Sequence, residues 1–138
     1  MQNTPVIGGP APHSAERTAR KLAGFALRHV PRTPASSDAA WCLDVGCGNG
    51  SITRQLGRTF SNIVGIDVEQ DRLDDFHEQV EGDRRYHILR MSADAIGFPD
   101  AAFPFVTSFE VLEHVPDLQT SVEEIVRVIQ PGGRLVIS

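Results

Sequence analysis

Short apolar runs alternate along the chain with longer segments whose apolar residues recur every three or four positions. Short apolar runs bounded by turn residues are typical of buried strands, and the longer spacing is typical of amphipathic helices. Strands are predicted over the apolar run 39–43 and over 62–67, 85–90, 103–109 and 134–138, and helices over 13–30, 51 to about 59, 69–80 and 118–129. Because strands alternate with helices, the pattern predicts an α/β fold, a doubly wound parallel sheet with helices on both faces.

Residues 31–38 interrupt this alternation with the sequence P-R-T-P-A-S-S-D. A stretch rich in proline and serine breaks regular structure and is typical of a linker. The expected division therefore places an N-terminal tail, a helix and this linker in residues 1–38. One core domain is expected in residues 39–138.

A glycine-rich turn follows the first predicted strand, with the sequence L-D-V-G-C-G-N-G at 43–50. A strand, a glycine turn and a helix open a βαβ unit, and glycines let a ligand approach the main chain closely. The spacing is G-x-G-x-G, whereas a dinucleotide fingerprint reads G-x-G-x-x-G and holds a pyrophosphate. A fixed carboxylate at Asp44 would repel a pyrophosphate and would suit a cationic group. The alternative is a tight βα turn in another kind of α/β protein.

Acidic residues occur at or just past the ends of four predicted strands, at Asp44, Asp67, Asp94 and Glu110. Ligands bind parallel sheets beyond the carboxyl ends of the strands, so we expect these four carboxylates to converge on one rim. Asp67 is placed to accept hydrogen bonds from ribose hydroxyls, and Asp94 to accept one from the exocyclic amine of adenine. The alternatives are that Asp67 caps the next helix and that Asp94 caps a short turn.

Composition and charge exclude several classes of protein. A net charge of −5 over 138 residues argues against the broad basic surface that binds nucleic acid. No apolar run approaches the ~20 residues of a membrane span, and residues 1–12 lack the pattern of a signal peptide. Cys42 and Cys47 are not expected to form a disulfide framework. We therefore expect a cytoplasmic protein that binds neither nucleic acid nor a membrane.

From Trp41 to Ser138, the order of motifs resembles the class I S-adenosylmethionine-dependent methyltransferases, in particular the type 11 methyltransferase-like domains. The resemblance rests on D-x-G-x-G-x-G at 44–50, V-L-E-H-V-P-D at 111–117 and P-G-G-R-L-V-I-S at 131–138. It implies a Rossmann-like fold, S-adenosyl-L-methionine as cofactor, and transfer of a methyl group to an O, N or C nucleophile of a small-molecule acceptor.

The resemblance also implies a set of cofactor-binding residues. They are Asp44, Gly46, Cys47, Gly48, Asp67, Val68, Ala93, Asp94, Phe109 and Glu110. Asp44, Gly46 and Gly48 would line the methionine part of the cofactor. Asp67 would hold the ribose, and Asp94 with the residue before it would meet the adenine. The last two residues of the set would border the sulfonium and the acceptor.

The catalytic candidates are Glu110 and His114, which both follow the fourth predicted strand. His114 is the candidate general base; the alternative is a packed or solvated histidine at a helix start. Glu110, Glu113 and His114 form E-x-x-E-H, which resembles the divalent-metal cluster of methyltransferases of ubiquinone biosynthesis and of small-RNA 2′-O-methyltransferases. Three ligands at i, i+3 and i+4 of a helical turn could converge. Many relatives carry similar letters without a metal, and no metal is expected here.

The sequence departs from the family pattern in two places. Pro104 occupies a position where the family commonly has aspartate, and proline should sit at the start of its strand. The family sheet normally has seven strands, whereas this sequence stops at the fifth, so a C-terminally truncated sheet is expected. Its open edge would be covered by a missing C-terminal segment or by a second copy in a homo-oligomer.

Two other functions compete with methyl transfer. The first is a non-catalytic or partner-completed module that binds S-adenosylmethionine. The second is a nicotinamide-dependent oxidoreductase, which the glycine spacing and Asp44 disfavour.

Overall fold

Five parallel strands form the centre of the fold, in the spatial order β3-β2-β1-β4-β5. The computed structural model describes residues 12–30 and 41–138. Its elements are α1 (Pro12–Leu27), β1 (Trp41–Val45), α2 (Thr53–Leu56), β2 (Asn62–Asp67), α3 (Gln70–Gln79), β3 (Tyr86–Arg90), β4 (Phe103–Ser108), a 3₁₀ turn (Leu112–His114), α4 (Leu118–Arg127) and β5 (Ile129–Ile137). The predicted α/β parallel sheet is therefore confirmed. Most of the predicted tail and all of the predicted linker lie outside the described residues.

The direction of winding reverses at β1. Successive strands run outward from β1 to β3 on one side, and the chain then returns to place β4 on the other side of β1. Loops at the carboxyl ends of β1 and β4 therefore leave in opposite directions and open a crevice between them, which is the usual ligand position in such sheets.

The two faces of the sheet bury separate apolar clusters, because side chains along a strand point alternately to opposite faces. Leu43 and Val45 of β1 pack with Ile125 of α4 on one face. Cys42 packs on the other face with Phe105 and with Ala26 of α1. The described N-terminal helix thus contributes to the same core as the sheet.

The helix that follows the glycine turn is shorter than the predicted span of 51 to about 59. It covers Thr53–Leu56, and beyond Gly57 two residues make i→i−3 bonds, from Arg58 N to Gln55 O and from Thr59 N to Leu56 O. Glycine at position 57 permits close packing at this end, because a side chain there would meet the Tyr86 hydroxyl at 2.0 Å. The main chain there is pressed against β3, and the regular helix stops.

The last strand begins earlier than predicted. Residues 130–133 were expected to end a helix over 118–129, but α4 ends at Arg127 and β5 spans Ile129–Ile137. Ile129 pairs with Phe103 and Arg134 pairs with Phe105, so β5 advances five residues where β4 advances two. This irregularity absorbs the P-G-G segment beside Pro104, which has no amide N–H to pair. Among the described residues, no helix has both the length and the apolar character needed to cross a bilayer.

Candidate functional site

A cleft of about 360 Å³ opens at the carboxyl ends of β1, β2 and β4. Its size lies within the range of small-molecule sites, which is roughly 300–1,000 Å³. Four segments form its wall: the glycine turn, the tip of β2 with the start of α3, the loop after β3, and the segment after β4. The predicted site residues that line it are Gly46, Cys47, Asp67, Val68, Ala93, Phe109, Glu110 and His114. Three others, Asp44, Gly48 and Asp94, are not among its lining residues.

The glycine turn takes a backbone path that residues with side chains rarely adopt. Gly46 and Gly48 have φ angles of +75° and +54°. The amides of Gly46 and Cys47 both donate to the Ile66 carbonyl, at 2.8 and 2.9 Å, which ties the turn to β2. A Cβ at Gly46 would come 2.1 Å from Val111 Cγ2, so the close packing of the turn against Val111 favours glycine there.

Asp67 ends β2 and lines the cleft with a nearly buried carboxylate. Its Oδ2 accepts a hydrogen bond from Gly48 N at 2.8 Å, and its Oδ1 accepts one from Glu69 N at 2.9 Å. A carboxylate has about four acceptor positions, so two such bonds leave capacity for a ligand. Asp67 therefore holds the turn before α3, whose N-cap residue is Glu69, and its carboxylate also faces the cleft. Gly48 contributes to the site through this bond.

Asp44 lies beneath the glycine turn and is 3% exposed. Its two oxygens accept hydrogen bonds from Thr53 Oγ1 at 2.6 Å and from Thr107 Oγ1 at 2.8 Å. Burial raises the pKa of Asp44 to about 6, against the lowering effect of the two hydroxyl donors. Because side chains alternate along β1, Asp44 points to the face that packs against α2. Its predicted place in the cleft wall is thus not what the structure shows.

Asp94 also differs from its predicted placement. Its Oδ1 accepts a hydrogen bond from the Ser92 hydroxyl at 2.5 Å. The neighbouring Ser92 and Ala93 line the cleft instead. Of the four acidic residues expected on one rim, Asp67 and Glu110 line the cleft, and the predicted convergence of all four is wrong.

The segment after β4 does not form the helical turn on which Glu110, Glu113 and His114 could converge. Glu110 has a φ angle of +56°, so it stands outside the 3₁₀ turn Leu112–His114. This break removes the helical spacing that would bring three ligands to one face. His114 Nε2 lies 3.8 Å from Glu113 Oε1, but within residues 12–30 and 41–138 no three potential ligands are grouped to hold a metal.

The sequence interpretation missed Arg72, which lines the cleft from α3. Its Nη2 lies 2.5 Å from the position that a Cβ on Gly48 would occupy, and its charge lowers the pKa of the Cys47 thiol against the larger effect of burial. A position five residues past Asp67 falls in the first helical turn beyond the strand tip. That spacing could have indicated a residue facing the cleft.

Comparison with known sequences decides the family. The profile of a family described as "Methyltransferase domain" matches residues 43–137, which is more than half of the chain. The chain belongs to this methyltransferase domain family. The matched span contains all four segments of the cleft wall.

Curated methyltransferases with known names resemble this methyltransferase domain over part of their length. Ubiquinone biosynthesis O-methyltransferase from Leptothrix cholodnii is 28% identical over 130 residues, which cover 92% of this chain and 55% of that protein. Demethylmenaquinone methyltransferase from Bacillus licheniformis is 35% identical over 114 residues, covering 80% and 46%. The chain spans about half the length of the curated relatives it matches, and less of some.

Solved structures show the same fold. The [4+2]-cyclase SpnF superposes with a TM-score of 0.74 at 25% identity, over 90% of this chain and 44% of that one. The CurJ carbon methyltransferase superposes with a TM-score of 0.75 at 16% identity, over 86% and 34%. These likenesses concern the architecture of the sheet and its helices.

Membership of the methyltransferase domain family implies S-adenosyl-L-methionine as methyl donor. The residues of the cleft fit that group. The main chain of the glycine turn lines the cleft at Gly46, and the Asp67 carboxylate keeps acceptor positions beyond its two main-chain bonds. Asp67 and Glu110 line the cleft, and their carboxylates would attract the positive charge of a sulfonium bound there. Asp67 is the side chain that would hold the ribose.

Proposed function

We propose that this methyltransferase domain transfers a methyl group from S-adenosyl-L-methionine to a nucleophilic O, N or C atom of a small-molecule acceptor. One observation carries the proposal. The glycine turn is bonded to β2 through Ile66 O and to Asp67 through Gly48 N, so the turn and the carboxylate form one rigid wall of the cleft. That wall is where a cationic nucleoside would bind.

The acceptor side of the cleft is formed by the segment after β4. Phe109, Val111 and Val115 line it beside Met91 of the opposite wall. Named relatives act on ring compounds, as in 2-methyl-6-phytyl-1,4-hydroquinone methyltransferase from Synechocystis, which is 35% identical over 97 residues. The apolar lining and these names support a small, largely apolar acceptor.

The protein's part in the reaction is binding and orientation, because the cofactor carries the activated methyl group. Asp67 and the main chain of the glycine turn hold the donor, and Ala93 lies on the side proposed for the adenine. Phe109 and Glu110 border the acceptor. Holding two reactants in line removes much of the entropic barrier to their encounter.

His114 is the proposed general base at the edge of the cleft. Its imidazole is largely exposed, and Nε2 faces Glu113 Oε1 at 3.8 Å. A base placed there could take a proton from an acceptor hydroxyl as the new bond forms, whereas a carbon or amine acceptor would need it less. His114→Gln should therefore lower the rate most for hydroxyl acceptors and leave donor affinity unchanged.

Calorimetry with S-adenosylhomocysteine, followed by a methyl-release assay on quinol, phenol and amine acceptors, tests the function. Saturable binding and turnover on one acceptor class are expected. Failure to bind S-adenosylhomocysteine would refute the proposal. Saturable tight binding of reduced nicotinamide, measured by fluorescence, would favour an oxidoreductase instead.

A non-catalytic or partner-completed module is the second candidate, and a specific observation favours it. β5 is an edge strand of the described sheet, and Val122, Val126 and Ile137 stand exposed on and beside it. Such an edge is open to pairing with another segment or a second copy. Donor binding without turnover at any protein concentration would support the non-catalytic reading. Turnover that rises more steeply than protein concentration would support completion by a second copy.

A further inference from the structure

The loop that connects β3 to β4, residues 91–102, forms the wall of the cleft on the side proposed for the adenine. Its first part lines the cleft through Met91, Ser92 and Ala93. Within the loop, Ala95 N donates to Ser92 O at 3.2 Å, the Ser92 hydroxyl donates to Asp94, and Gly97 N donates to Met91 Sδ at 3.2 Å. Further hydrogen bonds join the loop to α4.

Arg127, in the last turn of α4, binds the far part of this loop. Its five N–H groups make five hydrogen bonds. Nη2 donates to Ile96 O at 2.7 Å and Nη1 donates to Phe98 O at 2.8 Å. Nη1 also donates to Asp100 Oδ1 at 2.9 Å, and the remaining bonds go to Glu124.

Glu124 completes the arrangement from one turn earlier in α4. Its Oε2 accepts a hydrogen bond from Ile96 N at 2.8 Å. Ile96 is thus held at both its amide and its carbonyl, while its side chain is buried with Ala93 and Ile125. The Arg127 carbonyl in turn accepts a bond from Ala101 N at 2.9 Å. We call this set the Arg127 clasp.

The base of the clasp is rigid. Ile125 and Val128 are essentially fully buried, and Phe103 N donates to Val128 O at 2.9 Å where α4 passes into β5. At the other end of the loop, Met91 N donates to Asp67 O at 3.0 Å. The residues that line the cleft, 91–93, are therefore held by β2 at one end and by the Arg127 clasp at the other.

We propose that Arg127 and Glu124 are positioning residues for recognition of the cofactor's purine base. They do not line the cleft; they hold the loop whose residues Met91, Ser92 and Ala93 line it on the side proposed for the base. The inference rests on the proposed function, because it assumes that S-adenosylmethionine binds in this cleft. A loosened loop should still allow binding, but it should distinguish the base edge less well.

Arg85 provides a matched control. Its guanidinium also donates hydrogen bonds to both a carboxylate and a carbonyl. The carboxylate is that of Asp83, and the carbonyl is Gly57 O, which lies 2.6 Å from Nη1. Arg85 precedes β3, at the amino end of the strand and away from the cleft. Arg85→Met therefore removes a comparable clasp without touching the loop 91–102.

The experiment compares wild type, Arg127→Met and Arg85→Met in binding S-adenosylhomocysteine and S-inosylhomocysteine, in which an oxygen replaces the exocyclic amine of adenine. We expect wild type to bind S-adenosylhomocysteine more tightly than S-inosylhomocysteine. The dissociation constant for S-inosylhomocysteine divided by that for S-adenosylhomocysteine should fall in Arg127→Met by about threefold or more, which is the order of one weakened hydrogen bond. Arg85→Met should keep the wild-type ratio. Exchange of the Ile96 amide, followed in the free protein, should quicken in Arg127→Met alone.

Each outcome decides between the inference and the function. If Arg127→Met weakens binding of both ligands equally, or of neither, the ratio stays unchanged. That result would overturn the positioning role and leave the function intact. A wild type that binds both ligands equally would also overturn it, since the base would not be read. A wild type that binds neither ligand would refute the function itself. If Arg127→Met fails to fold, Arg127→Lys keeps the charge, loses the fork of donors and should give an intermediate ratio.

Discussion

Asp44 and Asp67 are the same residue type near the ends of neighbouring parallel strands, yet their surroundings give them different tasks. Asp44 receives two side-chain hydroxyls and is sealed beneath the glycine turn. Asp67 receives two main-chain amides and faces the cleft. Asp44 is one residue short of the end of β1, whereas Asp67 is the last residue of β2.

The contrast shows that position along the strand separates structure from ligand binding in this site. A carboxylate inside the sheet must be satisfied by the protein, because water cannot reach it. A carboxylate at the tip can share its acceptor positions between the protein and a ligand. We therefore expect substitutions near Asp44 to change stability and substitutions at Asp67 to change donor affinity.

The largest expected effect is on the pH dependence of stability and follows from Asp44. Burial raises its pKa from 3.8 to about 6. Between these values the folded protein keeps a proton that the unfolded chain releases, so stability from this group falls as pH rises through that window. The quantity to follow is the unfolding free energy of wild type minus that of Asp44→Asn. This difference should fall by on the order of 3 kcal/mol between pH 4 and pH 7. A difference that rises with pH, measured by urea unfolding, would contradict this assignment.

Thr107→Val should show the second-largest effect. It removes one of the two hydroxyls that bind the buried carboxylate of Asp44. We expect a loss of about 1–3 kcal/mol of unfolding free energy at neutral pH, because a buried charged acceptor is left short of a donor. S-Adenosylhomocysteine affinity should stay at the wild-type level. The exposed Thr59→Val is the matched control, and equal losses in both variants would remove the special role of Thr107.

Asp67→Asn should act in the opposite way. It keeps one acceptor oxygen for the main chain but removes the charge and the paired acceptors that would grip ribose hydroxyls. We expect donor affinity to fall at least about tenfold, which corresponds to about 1.4 kcal/mol. Asp75→Asn, on the exposed face of α3, serves as the control for calorimetry. An unchanged dissociation constant in Asp67→Asn would show that the ribose assignment is wrong.

The smallest effect concerns Cys47, which lies between the two carboxylates. Burial raises the pKa of its thiol, and Asp44 and Asp67 raise it further. We expect almost no alkylation of the native protein by iodoacetamide at pH 8, because the thiolate is scarce. Mass spectrometry of a Cys42→Ala variant would isolate this thiol. Fast labelling before unfolding would mean that Cys47 is more accessible than its burial indicates.

Local patterns predicted the sheet well and the element ends less well. The five strand regions were predicted because short apolar runs depend mainly on burial of consecutive residues. The P-G-G segment within β5 was taken for a helix stop, since a bulge depends on the partner strand β4. The close packing of Gly57 against Tyr86 also depends on the tertiary structure. These partners are 29 residues apart in the chain and leave no local signal.

The same distinction applies to the site. The glycine turn and Asp67 were recognised because their spacing within one βα unit is local. The inward position of Asp44 could not be recognised, since it depends on Thr107, which is 63 residues away. The turn that separates Glu110 from Glu113 and His114 depends on a left-handed φ angle that the letters E-x-x-E-H do not encode.

The sequence by itself determined the α/β class, the order of strands and helices, the methyltransferase motifs, and the acidic tip of β2. These properties follow from periodicity and from spacing within short segments, where neighbouring residues constrain one another directly. Tertiary structure alone decided that Asp44 supports the glycine turn from below, that Glu110 does not join Glu113 and His114 in one group of ligands, and that Arg127 holds the loop 91–102. Those outcomes depend on contacts between residues that lie far apart in the chain. The packing of the whole sheet determines which of these residues meet.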